Sequence, residues 1–331
     1  MTKIRSRDSR MIDDRRGRRS GGGLGGSLGG MLGRSGRGSR GGGLGDVLGG
    51  ALGGRSRGGG GLGGLKAGGG VMAIIVLLAT LFLPKLLGGA TGGASGLSGG
   101  SGGASSQTTG GDDETCSSEA EQILCGATID VQEFWLEEFP RSFNQEYDVT
   151  STVFFSGFTN TGCGQASAQT GPFYCPADRL VYFDLDFLAQ LQQQFSAPGD
   201  LAAQYIVAHE YGHHIQNVLG INAQMRQLQQ RDPRNANAYS VALELQADCL
   251  AGVWANDANR RNQFDNAAEI TEALDAAAAV GDDRIQQQTQ GRVDKESWTH
   301  GSSAQRQQWF QRGFETGDPN RCDTFAEVDN F

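Results

Sequence analysis

Three of the chain's four histidines fall within six positions, in "AHEYGHHIQ" at residues 208–216. His209 and His213 are spaced four apart, which on a helix leaves them about 40° apart on one face and a turn from each other. That separation suits two imidazole nitrogens on one divalent ion. Glu210 is offset by about 100°, so it can address the open side of such an ion without being a ligand. The pattern is H-E-x-x-H, and it offers metal-assisted hydrolysis of a peptide bond with Glu210 as general base. The competing reading is a polar histidine cluster on a solvated helix face. His214 points about 100° away from His213 and is read as structural or surface.

Two histidines do not complete a catalytic zinc site, which needs a third protein ligand and an open position. Downstream, "YSVALELQADCLAGVWA" (239–255) reads as a second helix with Glu244 and Asp248 four apart on one face. In this reading Glu244 binds the metal and Asp248 accepts the second ring N–H of a histidine ligand, fixing its tautomer. Taken alone, the two carboxylates could be a surface pair. Nitrogen and carboxylate donors together favour Zn²⁺. The fourth histidine, His300 in "SWTHGSS", is a candidate for stabilising an oxyanion, as are Tyr205, Tyr211 and Tyr239. Asp282 and Asp283 are read as a solvated helix end.

These residues need elements to hold them. Asp200 is a candidate N-cap for the histidine helix and Gly220 is placed to end it. Gly212, costly inside a helix, would admit a close neighbour. "GPFYCPADRLVYFDLDF" (171–187) alternates Leu180, Tyr182 and Asp184 against Val181, Phe183 and Leu185, a strand pair around a Pro176–Asp178 turn. Those strands could pack as a sheet on the histidine helix, and an edge beside the metal could take an extended peptide by strand addition. The C-terminal part is helical in tendency: "AEITEALDAAAAVGDDRIQQQ" has an apolar stripe, and "SSAQRQQWFQRGFETG" follows a serine cap and ends at Gly317.

Charge and glycine divide the chain. Residues 1–70 carry 14 Lys and Arg against four Asp, whereas the whole chain has 28 Lys and Arg, 37 Asp and Glu and a net charge of −9. A basic, glycine-rich tail therefore precedes an acidic domain. Glycine at this density cannot offset the entropy of ordering, so 1–70 is expected to be disordered. RNA binding by the tail is set aside because few aromatic residues accompany the arginines. Residues 71–83, "VMAIIVLLATLFL", are uncharged, and continuing to Leu87 gives a single expected membrane span over 71–87. The basic tail would sit in the cytoplasm and everything after residue 90 outside it. A flexible Gly/Ser linker is expected over 88–114. All six cysteines follow the run, which fits disulfides in an oxidising compartment. Cys163 with Cys175, Cys116 with Cys125 and Cys249 with Cys322 are the suggested pairs among the possible pairings.

"HEYGHHIQ", "ELQADCLAGVWA", "GPFYCPADRLVYFDLDF" and the C-terminal "GDDRIQQQTQGRV…THGSSAQRQQWFQRGFETGDPNRCDTF" together resemble the bacterial neutral zinc metallopeptidases, as does the N-terminal "DDRRGRR". The resemblance implies a zincin-like α+β fold of the glutamate-ligand branch over 115–331. In that pattern His209, His213 and Glu244 match the ligands, Glu210 the general base and Asp248 the acid behind a histidine. The expected activity is a membrane-anchored zinc metallopeptidase acting on peptides or proteins. The alternatives are a zinc amidase acting on cell-wall peptide and a membrane-anchored binding protein that keeps the zinc fold without turnover.

Overall fold

The computed structural model describes residues 3–16, 115–167, 170–185, 200–265 and 267–331, all within one compact unit. The expected span 71–87, the linker 88–114 and the basic tail beyond residue 16 lie outside the described residues. Among the described residues no helix is long and apolar enough to cross a membrane.

A four-stranded sheet carries the order β1 (Ile12–Asp14), β2 (Thr152–Phe155), β6 (Leu180–Asp184), β5 (Phe173–Cys175). β1, β2 and β6 are parallel, and β5 runs antiparallel to β6 across the expected turn. β3 (Phe158–Thr161) and β4 (Gly164–Ser167) form a separate hairpin. Phe154, Val181 and Phe183 face the helical core, while Val153, Phe155 and Tyr182 fill a smaller cluster on the opposite face. Burial on both faces explains why β2 is a continuous apolar run behind its threonine.

Helices supply the rest. α1 (Glu119–Phe143) opens on a reciprocal cap, Ser118 with Glu121, and buries Ile123, Leu124, Val131, Trp135 and Phe139. Sequence reasoning places no element there, although Ser-x-x-Glu before an apolar run is a helix-start signal. α2 (Asp200–Val218) is the histidine helix, closed at Gly220 (φ 77°) before α3 (Ile221–Arg231). α4 (Ala236–Arg260) carries Glu244 and Asp248 and is longer at both ends than expected. The apolar stripe that follows is two helices, α5 (Ala267–Ala279) and α6 (Asp282–Gln290). α7 (Ser303–Thr316) starts at the Ser302 cap and stops at Gly317, as its caps imply. All three suggested disulfides are present: Cys116–Cys125, Cys163–Cys175 and Cys249–Cys322. The architecture is α+β, mostly helical, with a small sheet.

The expectation of disorder from residue 1 needs correction for residues 3–16. Ile4 is buried in the main core, Ser6 N–H donates to Gln122 O, and β1 pairs with β2 through Ile12, Asp13 and Asp14. Arg5 bridges Glu119 (2.7 Å) and Asp200 (2.6 Å). The segment is charged and short, and its partners lie more than 100 residues away, so no local pattern in it reads as a strand.

Candidate metal centre

α2 and α4 approach closely because of Gly212. A Cβ there would sit 3.0 Å from both the Cα and the carbonyl oxygen of Ala247. The close neighbour that this glycine admits is therefore the α4 backbone, three residues after Glu244 and one before Asp248. Helix periodicity does the remainder, turning His209 and His213 from one helix toward Glu244 and Asp248 from the other.

One donor atom from each of His209, His213 and Glu244 lies within 4.8 Å of the others, all buried. His209 Nε2 is 3.3 Å from Glu244 Oε2, and His213 Nε2 is 3.6 Å from Glu244 Oε1. Two ligands about 2.05 Å from a tetrahedral ion stand roughly 3.3 Å apart, so these separations fit zinc. The other ring nitrogens are already committed. His209 Nδ1 meets Asp248 Oδ1 at 2.8 Å, and His213 Nδ1 meets Gln216 Oε1 at 2.8 Å. With both Nδ1–H groups donated, both Nε2 lone pairs face the Glu244 carboxylate. Glu244 Oε2 is buried and has no hydrogen-bond partner among the described residues. With the rings neutral, the acceptors of His209, His213 and Glu244 thus converge on one another, which is what a cation resolves.

The electrostatics point the same way. Burial would raise the Glu244 carboxyl, but His213 and His209, with His300 contributing, hold it well below its ordinary value. Burial would lower His209, yet Asp248 and Glu244 push it up to about 9. His213 is likewise raised against its burial, by Glu244. Metal-free, this field draws protons onto the rings; a divalent ion displaces them. Asp248, despite burial, is brought down to about 2 by Arg306 and His209.

Glu210 is buried, and its Oε2 accepts from Tyr174 N–H at 2.8 Å. Burial raises its pKa, as suits a group that takes and returns a proton. Tyr174 lies on β5, the terminal strand of the sheet beside β6, so this N–H points away from β6 and toward α2. Behind it, His214 joins Tyr174 Oη (3.1 Å) to the Asp148 carbonyl. His214 is therefore a buried structural residue that pins the edge strand.

His300 is buried, with Nδ1 3.2 Å from Asp282 Oδ1. Asp282 Oδ2 also accepts the backbone N–H groups of Thr299, His300 and Gly301, at 2.6–3.0 Å. Asp282 is thus an organiser of the His300 loop, where a solvated helix end was expected. His300 Nε2 is buried and has no hydrogen-bond partner among the described residues, and Gly301 beside it packs on Val241 and Leu245 of α4. Two of the tyrosine alternatives are committed elsewhere: Tyr205 Oη to Asp248 and Tyr211 Oη to Thr152. Tyr239 precedes Glu244 by five residues, about 140° around α4.

Sequence reasoning missed Gln216, Tyr174 and Arg306. Gln216 stands three residues after His213, a spacing that brings side chains together on a helix. Arg306 occupies the apolar stripe of α7 with Trp309, Phe310 and Gly313, all buried. A charge in such a stripe is the signal of a buried ion pair.

A family model described as "Putative neutral zinc metallopeptidase" matches residues 40–325, and the chain belongs to that family. It is 40% identical over 261 residues to "Uncharacterized protein YpfJ" of Escherichia coli, covering 78% of this chain and 87% of the relative. To "Uncharacterized protein Rv2575" of Mycobacterium tuberculosis it is 53% identical over 185 residues, covering 53% and 62% respectively. No solved structure matches significantly.

Proposed function

We propose that this member of the neutral zinc metallopeptidase family hydrolyses peptide bonds, with zinc held by His209, His213 and Glu244. The observation that carries the reading is the pair of committed histidines facing an unpartnered, buried carboxylate oxygen of Glu244. When bound, zinc supplies Lewis acidity that polarises a carbonyl oxygen and makes water a nucleophile near neutral pH. Glu210 takes the proton from the attacking water and passes it to the leaving amine. Tyr174 N–H, on the outer side of β5, holds the Glu210 carboxylate in place for that step. His300 donates from Nε2 to the oxygen that gains charge.

The domain belongs, in this reading, outside the cytoplasmic membrane together with residues 3–16, which pair with its sheet, and its three disulfides suit an oxidising compartment. The test uses the full chain, because residues 3–16 are part of the fold. Zinc content and peptide hydrolysis are measured for the unmutated protein and for Glu210→Gln. One zinc per chain in both, with hydrolysis lost by about 10²–10⁴-fold in the variant, is the expected result. Zinc in both without turnover on broad peptide libraries favours a binding role. Absence of zinc from folded protein defeats the reading.

A further inference from the structure

Asp248 is fully buried and receives more than the His209 ring. Arg306, itself 3% exposed, places Nε 2.7 Å from Asp248 Oδ2 and Nη2 2.9 Å from Oδ1, a two-point fork on the carboxylate. Its Nη2 also reaches Tyr205 Oη at 3.2 Å, and Nη1 reaches the Val280 carbonyl at 3.3 Å. Tyr205 in turn donates to Asp248 Oδ1, the oxygen that meets His209 Nδ1.

From these contacts we infer that Arg306 is a positioning residue of the zinc site, acting through Asp248 on His209. The inference rests on the zinc reading above. A carboxylate held at one oxygen could still turn about its Cβ–Cγ bond. The guanidinium fork fixes its plane, so Oδ1 stays on His209 Nδ1 and the ring keeps Nε2 toward Glu244. Arg306 also neutralises Asp248, so that carboxylate brings no uncompensated negative charge behind the ligand.

The helix that bears Arg306 is placed for this task. A Cβ at Gly313 would sit 1.9 Å from the Cys249 carbonyl, and one at Gly252 would sit 2.0 Å from the Phe310 carbonyl. α7 and α4 therefore cross with their backbones touching, within two turns of the Arg306–Asp248 contact. Cys249, the residue after Asp248, is bonded to Cys322 beyond the end of α7. The C-terminal segment thus forms the back wall of a site whose ligands all lie on α2 and α4.

The test measures zinc affinity by chelator competition, independently of turnover, on the full chain. Arg306→Lys keeps the charge and loses the fork. Phe314→Leu, on the same helix but away from Tyr205, controls for a general loosening of α7. Zinc affinity is expected to fall about 10–100-fold in Arg306→Lys and to stay within about twofold in Phe314→Leu. Because Arg306 acts through Asp248, adding Arg306→Lys to Asp248→Asn should cost less than about threefold further. Unchanged affinity in Arg306→Lys overturns the inference while leaving the peptidase reading intact. Equal losses in Arg306→Lys and Phe314→Leu overturn it as well. If the unmutated protein binds no zinc, the site reading itself fails.

Discussion

The metal cradle and the N-terminal strap are both held by arginine–carboxylate pairs, and the two sets of pairs are built differently. In the cradle, the side chains of Arg306 and Asp248 are 4% and 0% exposed. In the strap, Arg5 is 26% exposed, and its partners are Glu119 at 69% and Asp200 at 6%. The strap pair of Arg16 and Glu121 lies between these, at 26% and 10%. A buried pair cannot lose one member cheaply, because the other charge is then stranded; an exposed pair is screened and contributes little. The cradle should therefore fail in function when perturbed, and the strap should fail in modest stability with the chemistry untouched.

The largest effect that sharpens this contrast lies at His300. Among the described residues its side-chain contacts are at Nδ1, and in the proposed reading its buried Nε2 meets the substrate oxygen. Replacing it with Phe should lower kcat by about 10²–10³-fold, the usual loss on removing one oxyanion donor. Zinc affinity, set by other residues, should be unchanged. Steady-state kinetics beside zinc titration checks this. A variant with full kcat would reduce His300 to a loop anchor.

Much of the cradle was legible in sequence because its chemistry coincides with helix periodicity. His209, His213, Glu244 and Asp248 are each readable from i, i+4 spacing, and α7 announces both ends through Ser302 and Gly317. The strap was not legible. Ile12–Asp14 is a strand only because β2 lies beside it, and Ile4 reads as one apolar residue in a basic tail until the core that covers it exists. Arg306 falls between these cases: its place in an apolar stripe is visible, but its partner Asp248 is 58 residues away. Short-range periodicity reveals faces; it does not say which faces meet.

A smaller effect, on stability, is expected at His214, which lies behind the edge strand and not at the metal. Burial lowers its pKa below the ordinary 6.5, so the unfolded chain binds this proton more readily than the folded one. The stability it protects is complete above about pH 6.5 and is lost as pH falls toward the folded value, by at most about 1.4 kcal/mol per unit. Urea unfolding between pH 8 and pH 5, with zinc saturating throughout, should show a steeper loss for the unmutated protein than for His214→Asn. Parallel curves would mean that His214 takes up no proton on unfolding.

The smallest effect is on the strap, and it reaches furthest. Arg5→Ala leaves Asp200 buried but in the first turn of α2, where the helix dipole favours a carboxylate. The cost should be about 1 kcal/mol, or some 2–4 °C in Tm, with zinc affinity and kcat unchanged. A loss of zinc binding would erase the distinction between strap and cradle. The strap also bears on how the chain meets a membrane. A strand hydrogen-bonded into a sheet shares the compartment of that sheet, and Thr115 Oγ1, which precedes α1, lies 2.9 Å from Asp14 Oδ2. The paired β1 therefore predicts that an epitope ahead of Lys3 and another after Phe331 are reached from the same side in intact spheroplasts. Charge asymmetry alone predicts opposite sides. Labelling from opposite sides would mean that β1 is unpaired in the cell, and Arg5→Ala would then leave Tm unchanged in membranes while lowering it in detergent, where strap and sheet can meet.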